Sequence, residues 1–288
     1  MCGDGTRGAG GMTLAREREY PLSDQEFEQI RNLVRRHTGI ALAESKRELV
    51  YSRLTRRLRQ LRLRSFHDYI LLLDDADTPE LEEFTNAITT NLTSFFREQH
   101  HFEFLTHTVF PELEKRNAAS RRLRIWSAGC STGEEPYSLA ITLQDSIQRF
   151  KSWDVRILAT DLDSGVLSHA SAGDYTAERF ERMPLAQRRR WFIERSGGIH
   201  TAKPELKSLI SFRRLNLMHS WPFHGPFDVI FCRNVVIYFD KDTQRTLFGR
   251  MAQLQRDGDH LCIGHSESLF KVCELYERIG KTIYKRIP

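Results

Sequence analysis

The residues best suited to chemistry lie between Leu123 and Phe150. Leu123, Ile125 and Trp126 read as a buried strand. A small-residue loop follows, Ala128-Gly129-Cys130-Ser131-Thr132-Gly133-Glu134-Glu135-Pro136. Tyr137, Leu139, Ala140, Ile141, Leu143, Ile147 and Phe150 then recur at helical spacing. Pro136 falls where a first-turn proline is tolerated. A strand that runs through such a loop into a helix N-terminus lets backbone N–H groups approach a polar or anionic ligand. This loop is not a phosphate cradle. Gly129 and Gly133 do not have the G-x-G-x-x-G spacing, and no Gly-Lys-Ser/Thr is present. Two carboxylates, Glu134 and Glu135, stand where a pyrophosphate would be repelled. An amino group or a sulfonium suits that place better.

Later strands end in further polar residues. Residues 155–160 read as a second strand that ends at Asp161-Leu162-Asp163. An acidic residue at that position suits a ribose diol. The competing reading of Asp161 is a cap for a helix over 164–170, a role open to Asp163 or Ser164 as well. Residues 209–215 alternate and end at Asn216-Leu217, and residues 227–232 form a buried strand that ends at Arg233-Asn234-Val235-Val236-Ile237-Tyr238-Phe239. Alternating strands and helices predict an α/β fold with a mostly parallel sheet. Ligands of such sheets bind beyond the C-terminal strand ends. Gly129–Glu135, Asp161, Asn216 and Arg233–Tyr238 are thereby placed on one rim. An adenosine-type ligand fits, with Asp161 for the ribose, Asn216 for the adenine edge and the Gly129–Gly133 loop for the remainder.

The elements before this region are helical. Ser23 and Glu26 make a capping box, Phe27, Ile30, Leu33 and Val34 follow at helical spacing, and Gly39 ends the helix. A second helix over 45–63 has Val50, Leu54, Leu58 and Leu61 as its buried stripe, with Arg53, Arg56 and Arg59 off it. Residues 46–64 hold eight basic side chains and one acidic one, Glu48. Two readings stand: a solvated face, or a docking face for an acidic partner. Short helices follow over 66–73 and 80–88. Residues 89–98 mix polar and aromatic types as a connector whose Thr and Asn side chains cap neighbouring helices. Another helix starts near Phe102. Residues 173–212 interrupt the alternation with a small antiparallel unit turning at Ser196-Gly197-Gly198. A helix over 243–254, a strand over 260–264 and a terminal hairpin over 276–286 complete the chain.

Composition bounds the rest. With 288 residues, 40% apolar and 28% charged, the chain has room for a good core in one or two domains. The formal charge of +5 hints at an acidic partner. Five scattered cysteines without a C-x-x-C pair suggest neither a disulfide framework nor a metal site, and point to reduced thiols in cytoplasm. No apolar run approaches the roughly 20 residues of a membrane span. Residues 1–19 are expected to be disordered or an extension, with Met12 a candidate natural start.

Asn91-Leu92-Thr93-x-Phe95-Phe96-Arg97, the Gly129–Ser138 loop, Ala159-Thr160-Asp161-Leu162-Asp163, Phe231-Cys232-Arg233-Asn234-Val235-x-Ile237-Tyr238-Phe239-Asp240 and Gly264-His265-Ser266-Glu267-Ser268 together resemble the CheR family of chemotaxis receptor methyltransferases. The resemblance spans about residues 20–286, with all motifs in order. It implies a protein-glutamate O-methyltransferase that uses S-adenosylmethionine (SAM) and releases S-adenosylhomocysteine. It implies a small helical domain over 20–90, a linker helix lining the active site over 91–110, and a Rossmann-like methyltransferase domain over 111–288. A β-subdomain is inserted at about 175–212. Carried over by motif, the cofactor contacts are Asn91, Thr93, Arg97, Glu135, Asp161, Asn216, Leu217, Arg233 and Asn234, to which the loop reading above adds Gly129. The connector at 89–98 thus becomes part of the site.

The family's proposed catalytic residues fall on Arg97 and Tyr238. Its receptor-facing basic helix places Arg53, Arg56, Arg57 and Arg59 against the acidic cytoplasmic methylation region of transmembrane chemoreceptors. The implied mechanism is in-line displacement at the methyl carbon by the substrate carboxylate. No general base is needed, because a glutamate with pKa near 4.3 is already ionised; alignment and desolvation are the burden. Some members use the β-subdomain to hold a C-terminal receptor peptide. The short 196–203 turn here leads us to expect no such tether. A cytoplasmic monomer without metal, nucleic acid or membrane insertion is expected. Two alternatives are a nucleic-acid methyltransferase, against which the lack of a proline pair after Asn234 speaks, and a non-catalytic SAM-binding regulatory module.

Overall fold

The computed structural model describes residues 18–75 and 78–288; residues 1–17, Met12 among them, lie outside the described residues. The first helix, α1 (Asp24–Thr38), is set by its ends. The Ser23 hydroxyl accepts the Glu26 N–H, the Glu26 carboxylate accepts the Ser23 N–H, and Gly39 closes the helix at φ 76. Helices α2 (Arg47–Leu61), α3 (Phe66–Asp74) and α4 (Glu80–Ile88) follow. Val50, Leu54 and Leu58 of α2 are fully buried with Phe27, Ile30, Phe66, Tyr69 and Phe84, while Leu61 is only half-buried at the edge of that core.

The basic side of α2 divides in two. Arg53 and Arg57 lie one helical turn apart and face α4. Arg57 grips both oxygens of the buried Glu80 carboxylate (2.8 and 2.6 Å), and the Tyr69 hydroxyl donates to the same group (2.8 Å). Arg53 donates to the carbonyls of Ile88 (2.7 Å) and Thr89 (2.8 Å) at the end of α4. The expectation that all four arginines face a partner is therefore corrected: Arg53 and Arg57 are committed inside the helical domain. Arg59 is exposed and paired with Glu19, and Arg56 is exposed with no ion pair among the described residues.

After a turn through residues 95–99 the chain enters α5 (His100–Phe104), passes a π-helical turn (Leu105–Val109), and continues as α6 (Phe110–Arg116). This helical run packs into the core, with Leu105, Val109 and Phe110 fully buried. The alternating part comprises β1 (Arg122–Ala128), α7 (Glu134–Asp145), β2 (Asp154–Asp161) and α8 (Ser164–Ala172). Next come β3 (Asp174–Thr176), α9 (Leu185–Trp191), β4 (Phe192–Glu194), β5 (Ile199–Ala202) and α10 (Pro204–Lys207). The chain ends with β6 (Ile210–Arg214), β7 (Val229–Cys232), α11 (Lys241–Gln253), β8 (His260–Ile263), β9 (Tyr276–Gly280) and β10 (Ile283–Arg286).

Seven strands form one sheet in the order β6-β2-β1-β7-β8-β10-β9. The first five are parallel, and β10 runs antiparallel to both its neighbours. The chain moves outward from β1 to β2 and β6, then returns to β7 on the other side of β1. The C-terminal ends of β1 and β7 therefore flank the switch point where such sheets hold ligands. Strands β3, β5 and β4 make a separate antiparallel sheet. Its Tyr175 and Phe192, with Phe180 of the 3-10 turn that follows β3, surround Phe95, with ring centroids 5.0, 5.5 and 4.9 Å away. No helix among the described residues is long and apolar enough to cross a membrane.

Removing Glu80 strands the buried Tyr69 hydroxyl and takes two bonds from the half-buried Arg57 guanidinium, which keeps only Glu83 (3.3 Å) and Gln60 (2.6 Å). Glu80→Ala is expected to cost about 3 kcal/mol in urea unfolding, whereas Arg56→Ala stays within about 0.5 kcal/mol of the parent.

Candidate active site

The loop after β1 is pinned from below. The N–H groups of Gly129 and Cys130 both donate to the Thr160 carbonyl (2.8 and 2.9 Å), at the end of β2. Gly129 sits at φ 88, and a Cβ there would lie 2.4 Å from Val235 Cγ2, so only glycine lets the two loops cross. Ser131 donates its N–H to the Asp161 carboxylate (2.7 Å) and its hydroxyl to the Asn91 carbonyl (3.0 Å). The other Asp161 oxygen accepts the Asp163 N–H (3.1 Å). Asp163 itself caps α8, accepting the N–H groups of Gly165 and Val166, and its second oxygen accepts Asn91 Nδ2 (2.7 Å) and the Thr89 hydroxyl (2.8 Å). The two readings of Asp161 are thereby separated: Asp163 serves the helix, and Asp161 lines the cavity. Burial raises the Asp161 pKa against the pull of its backbone N–H bonds.

Glu135, in the first turn of α7, accepts the Ser127 hydroxyl (2.7 Å) and Arg233 Nη1 (2.9 Å). Arg233 Nη2 donates to the Arg97 carbonyl and lies 3.5 Å from the Glu98 carboxylate. Burial raises the Glu135 pKa, opposed chiefly by the Arg233 charge. Glu134 departs from the expected pair of carboxylates. It is fully buried away from the cavity, accepts the Thr132 hydroxyl (2.6 Å) and lies 3.5 Å from Arg179. Successive residues of a helix point about 100° apart, so adjacent glutamates do not share one ligand.

These groups open onto a cavity of about 490 Å³ between the C-terminal ends of the strands and the helical domain. Asn91, Thr93, Arg97, Gly129, Glu135, Asp161, Asn216, Leu217, Arg233, Asn234 and Tyr238 all line it. The linker contributes through its loop at residues 91–97; α5 and α6 do not reach the cavity, which corrects the expected lining helix. Arg97 is half-buried and donates Nη1 to the Leu92 carbonyl (2.8 Å), which leaves its other N–H groups without partners among the described residues. Tyr238 is half-buried, and its hydroxyl has no hydrogen-bond partner among the described residues. Leu92, 78% exposed, and Ile237, 47% exposed, mark where the cavity meets solvent.

Asn216 has a second role besides lining the cavity. Its Nδ2 donates to the His37 carbonyl (2.6 Å) and its Oδ1 accepts the Met218 N–H (2.9 Å). The carboxamide thus ties the helical domain to the sheet while it lines the cavity, with its second N–H and second lone pair left over. The Ala41 N–H to Tyr238 carbonyl bond (2.8 Å) and the Arg35–Asp240 ion pair (2.7 Å) hold the same contact. Thr38, Ile40, Leu42, Lys46 and Leu49 complete the wall from the helical side. The sequence reading passed over them. The available signal was an apolar Ile40-Ala41-Leu42 segment in a loop directly after a helix stop.

Glu98, His100 and His101 come close enough for one cation to touch all three. The buried Arg233 guanidinium already stands 3.5 Å from Glu98, and like charges oppose a metal there. The cavity itself suits an organic ligand with a diol and a zwitterionic tail. Asp161 supplies a buried acceptor, Glu135 and Arg233 a matched pair of charges, and Gly129 a close approach of backbone.

Residues 25–89 match the family described as CheR methyltransferase, all-alpha domain. Residues 91–285 match CheR methyltransferase, SAM binding domain. The chain is 46% identical to Chemotaxis protein methyltransferase 2 of Pseudomonas aeruginosa over 270 residues, covering 92% of this chain and 94% of that protein. It is 40% identical to a chemotaxis protein methyltransferase of Klebsiella aerogenes, covering 96% and 95%. It is 39% identical to that of Escherichia coli, covering 91% of each. With both halves matched in order, and with a SAM-binding domain that carries the cavity described above, the chain belongs to the CheR methyltransferase family.

Proposed function

We propose that this protein transfers the methyl group of SAM to glutamate side chains in the cytoplasmic methylation region of transmembrane chemoreceptors, forming glutamate methyl esters. The observation that carries the reading is the division of the cavity. Buried acceptors and a matched ion pair lie at the C-terminal strand ends, while two half-buried groups with unused donors, Arg97 and Tyr238, line the same cavity. SAM supplies an electrophilic methyl group when bound.

The chain's own residues bind and orient. Asp161 accepts a ribose diol while its other lone pairs hold the Ser131 and Asp163 N–H groups. Arg97 keeps guanidinium N–H groups free to fix a substrate carboxylate, and the Tyr238 hydroxyl donates beside it. A glutamate substrate arrives ionised at neutral pH, so no residue need remove a proton. Alignment in a partly dry cavity is the contribution required of the protein. Arg56 and Arg59 are the outward charges of α2 and present the surface for an acidic receptor segment. Arg53 and Arg57 act indirectly by holding α4 and the loop that follows it.

Asp161→Asn is expected to weaken SAM binding at least tenfold by calorimetry, about 1.4 kcal/mol. Arg97→Ala is expected to lower turnover on a receptor cytoplasmic fragment by about 10²-fold, with a much smaller change in SAM affinity. The reaction itself is tested with methyl-labelled SAM and that fragment. Label released as methanol in mild alkali identifies a glutamate methyl ester. Alkali-stable label would identify a different acceptor atom, and SAM binding without transfer to any receptor of the cell would leave only a binding module.

A further inference from the structure

The loop at residues 233–238 lines the cavity, yet it makes few backbone bonds of its own. Asn234 holds φ 58, in the left-handed region, and Val236–Tyr238 form a single 3-10 turn. What satisfies its donors is one carboxylate. Glu267 is buried, and its two oxygens accept the N–H groups of Asn234 (3.0 Å), Val236 (2.9 Å) and Ile237 (3.3 Å), together with that of Gly264 (2.6 Å). No ion pair to Glu267 exists among the described residues, so its charge is held by backbone dipoles arranged as a nest. The carbonyl side of the loop is held by Gln244. Its Nε2 donates to the carbonyls of Val236 and Phe239, both at 2.9 Å.

Gly264 makes the clamp possible. A Cβ there would lie 2.5 Å from Asn234 Nδ2, 2.8 Å from the Asn234 backbone nitrogen and 2.9 Å from the Glu267 carboxylate. Neither Glu267 nor Gln244 lines the cavity, whereas Arg233, Asn234, Val235, Ile237 and Tyr238 do. We infer that Glu267 is the positioning residue of the active site, a buried carboxylate that sets the backbone of residues 234–237 so that Asn234 and Tyr238 are presented to the cofactor and the substrate. The inference rests on the reading that SAM occupies this cavity.

Glu267→Gln keeps the size of the side chain but turns one acceptor oxygen into a donor that faces backbone N–H groups. It is expected to raise the SAM Kd at least tenfold and to lower kcat at saturating SAM, with the KM for the receptor fragment unchanged, at temperatures well below its unfolding midpoint. Gly264→Ala attacks the same clamp from the opposite side and is expected to show the same split. A role in stability alone would lower the midpoint and leave Kd and kcat at parental values in the folded range; that result overturns the inference. Hydrogen exchange on the parent protein gives a test that needs no variant. The amides of Asn234, Val236 and Ile237 are expected to exchange slowly, and exchange at the rate of an unbonded loop overturns the inference equally. A parent that fails to bind SAM would instead overturn the assignment of the cavity, which keeps the two failures distinct.

Discussion

One buried guanidinium holds the site together. Arg233 follows directly from β7, and its side chain is almost wholly buried. It bonds Glu135 on α7, the carbonyl of Arg97 on the linker loop, and approaches Glu98, which in turn accepts His265 Nδ1 (3.0 Å) after β8. Four segments distant in sequence thus meet on one charge. Desolvating such a group is expensive, and removing a partner leaves a buried charge that costs about 3–5 kcal/mol. An apolar residue of similar volume would relieve that cost, but it would release the linker loop and the first turn of α7 from each other. The ion pair therefore supplies geometry more than stability.

The linker loop needs this fixing because its backbone is unfavourable. Phe96 and Glu98 both hold positive φ, 52 and 56, a conformation that costs of order 1–3 kcal/mol at a non-glycine residue. The offsetting contacts surround it. Arg53 and Asp163 secure its start, Phe95 is sunk among three aromatic rings in and beside the small antiparallel sheet, and the Phe96 N–H donates to the Ser138 hydroxyl (2.9 Å). The antiparallel sheet is thus more than an appendage to the methyltransferase domain. It provides the apolar socket that holds the cavity-lining loop in place, whatever else it binds.

Much of this was legible in residue types. Strands ending in Gly129, Asp161, Asn216 and Arg233 could be read because hydrophobic runs stop where polar residues begin, and the parallel sheet places those ends together. Side-chain direction was not legible. Glu134 and Glu135 look equivalent as letters, yet one helical step sends the first into a buried contact with Thr132 and the second to the cavity. Asn216 stands at the right strand end for a ligand, but its bonds to His37 and Met218 could not be read from the sequence. Glu267 falls within the Gly264–Ser268 motif, but its role could not be read there, since it depends on four N–H groups, three of them from a loop some thirty residues earlier. Such partnerships are set by tertiary contact and leave no spacing to detect.

Charge shows the same limit. A net charge of +5 and a helix rich in arginine invite the idea of a broadly cationic docking face. Several of the arginines are spent on internal ties. Arg57 serves Glu80, Arg35 and Arg214 bridge the helical domain to the sheet through Asp240 and Glu82, and Arg116 and Arg256 share the buried Asp228 and Asp259. Each such pair is nearly silent to a distant partner, because its field falls off as a dipole and is screened within about 10 Å at ordinary ionic strength. What a partner meets is the set of basic side chains outside such pairs, of which Arg56 is the clear case on α2. The field that reaches a partner therefore depends on where the unpaired side chains stand, and not on the overall excess of basic residues.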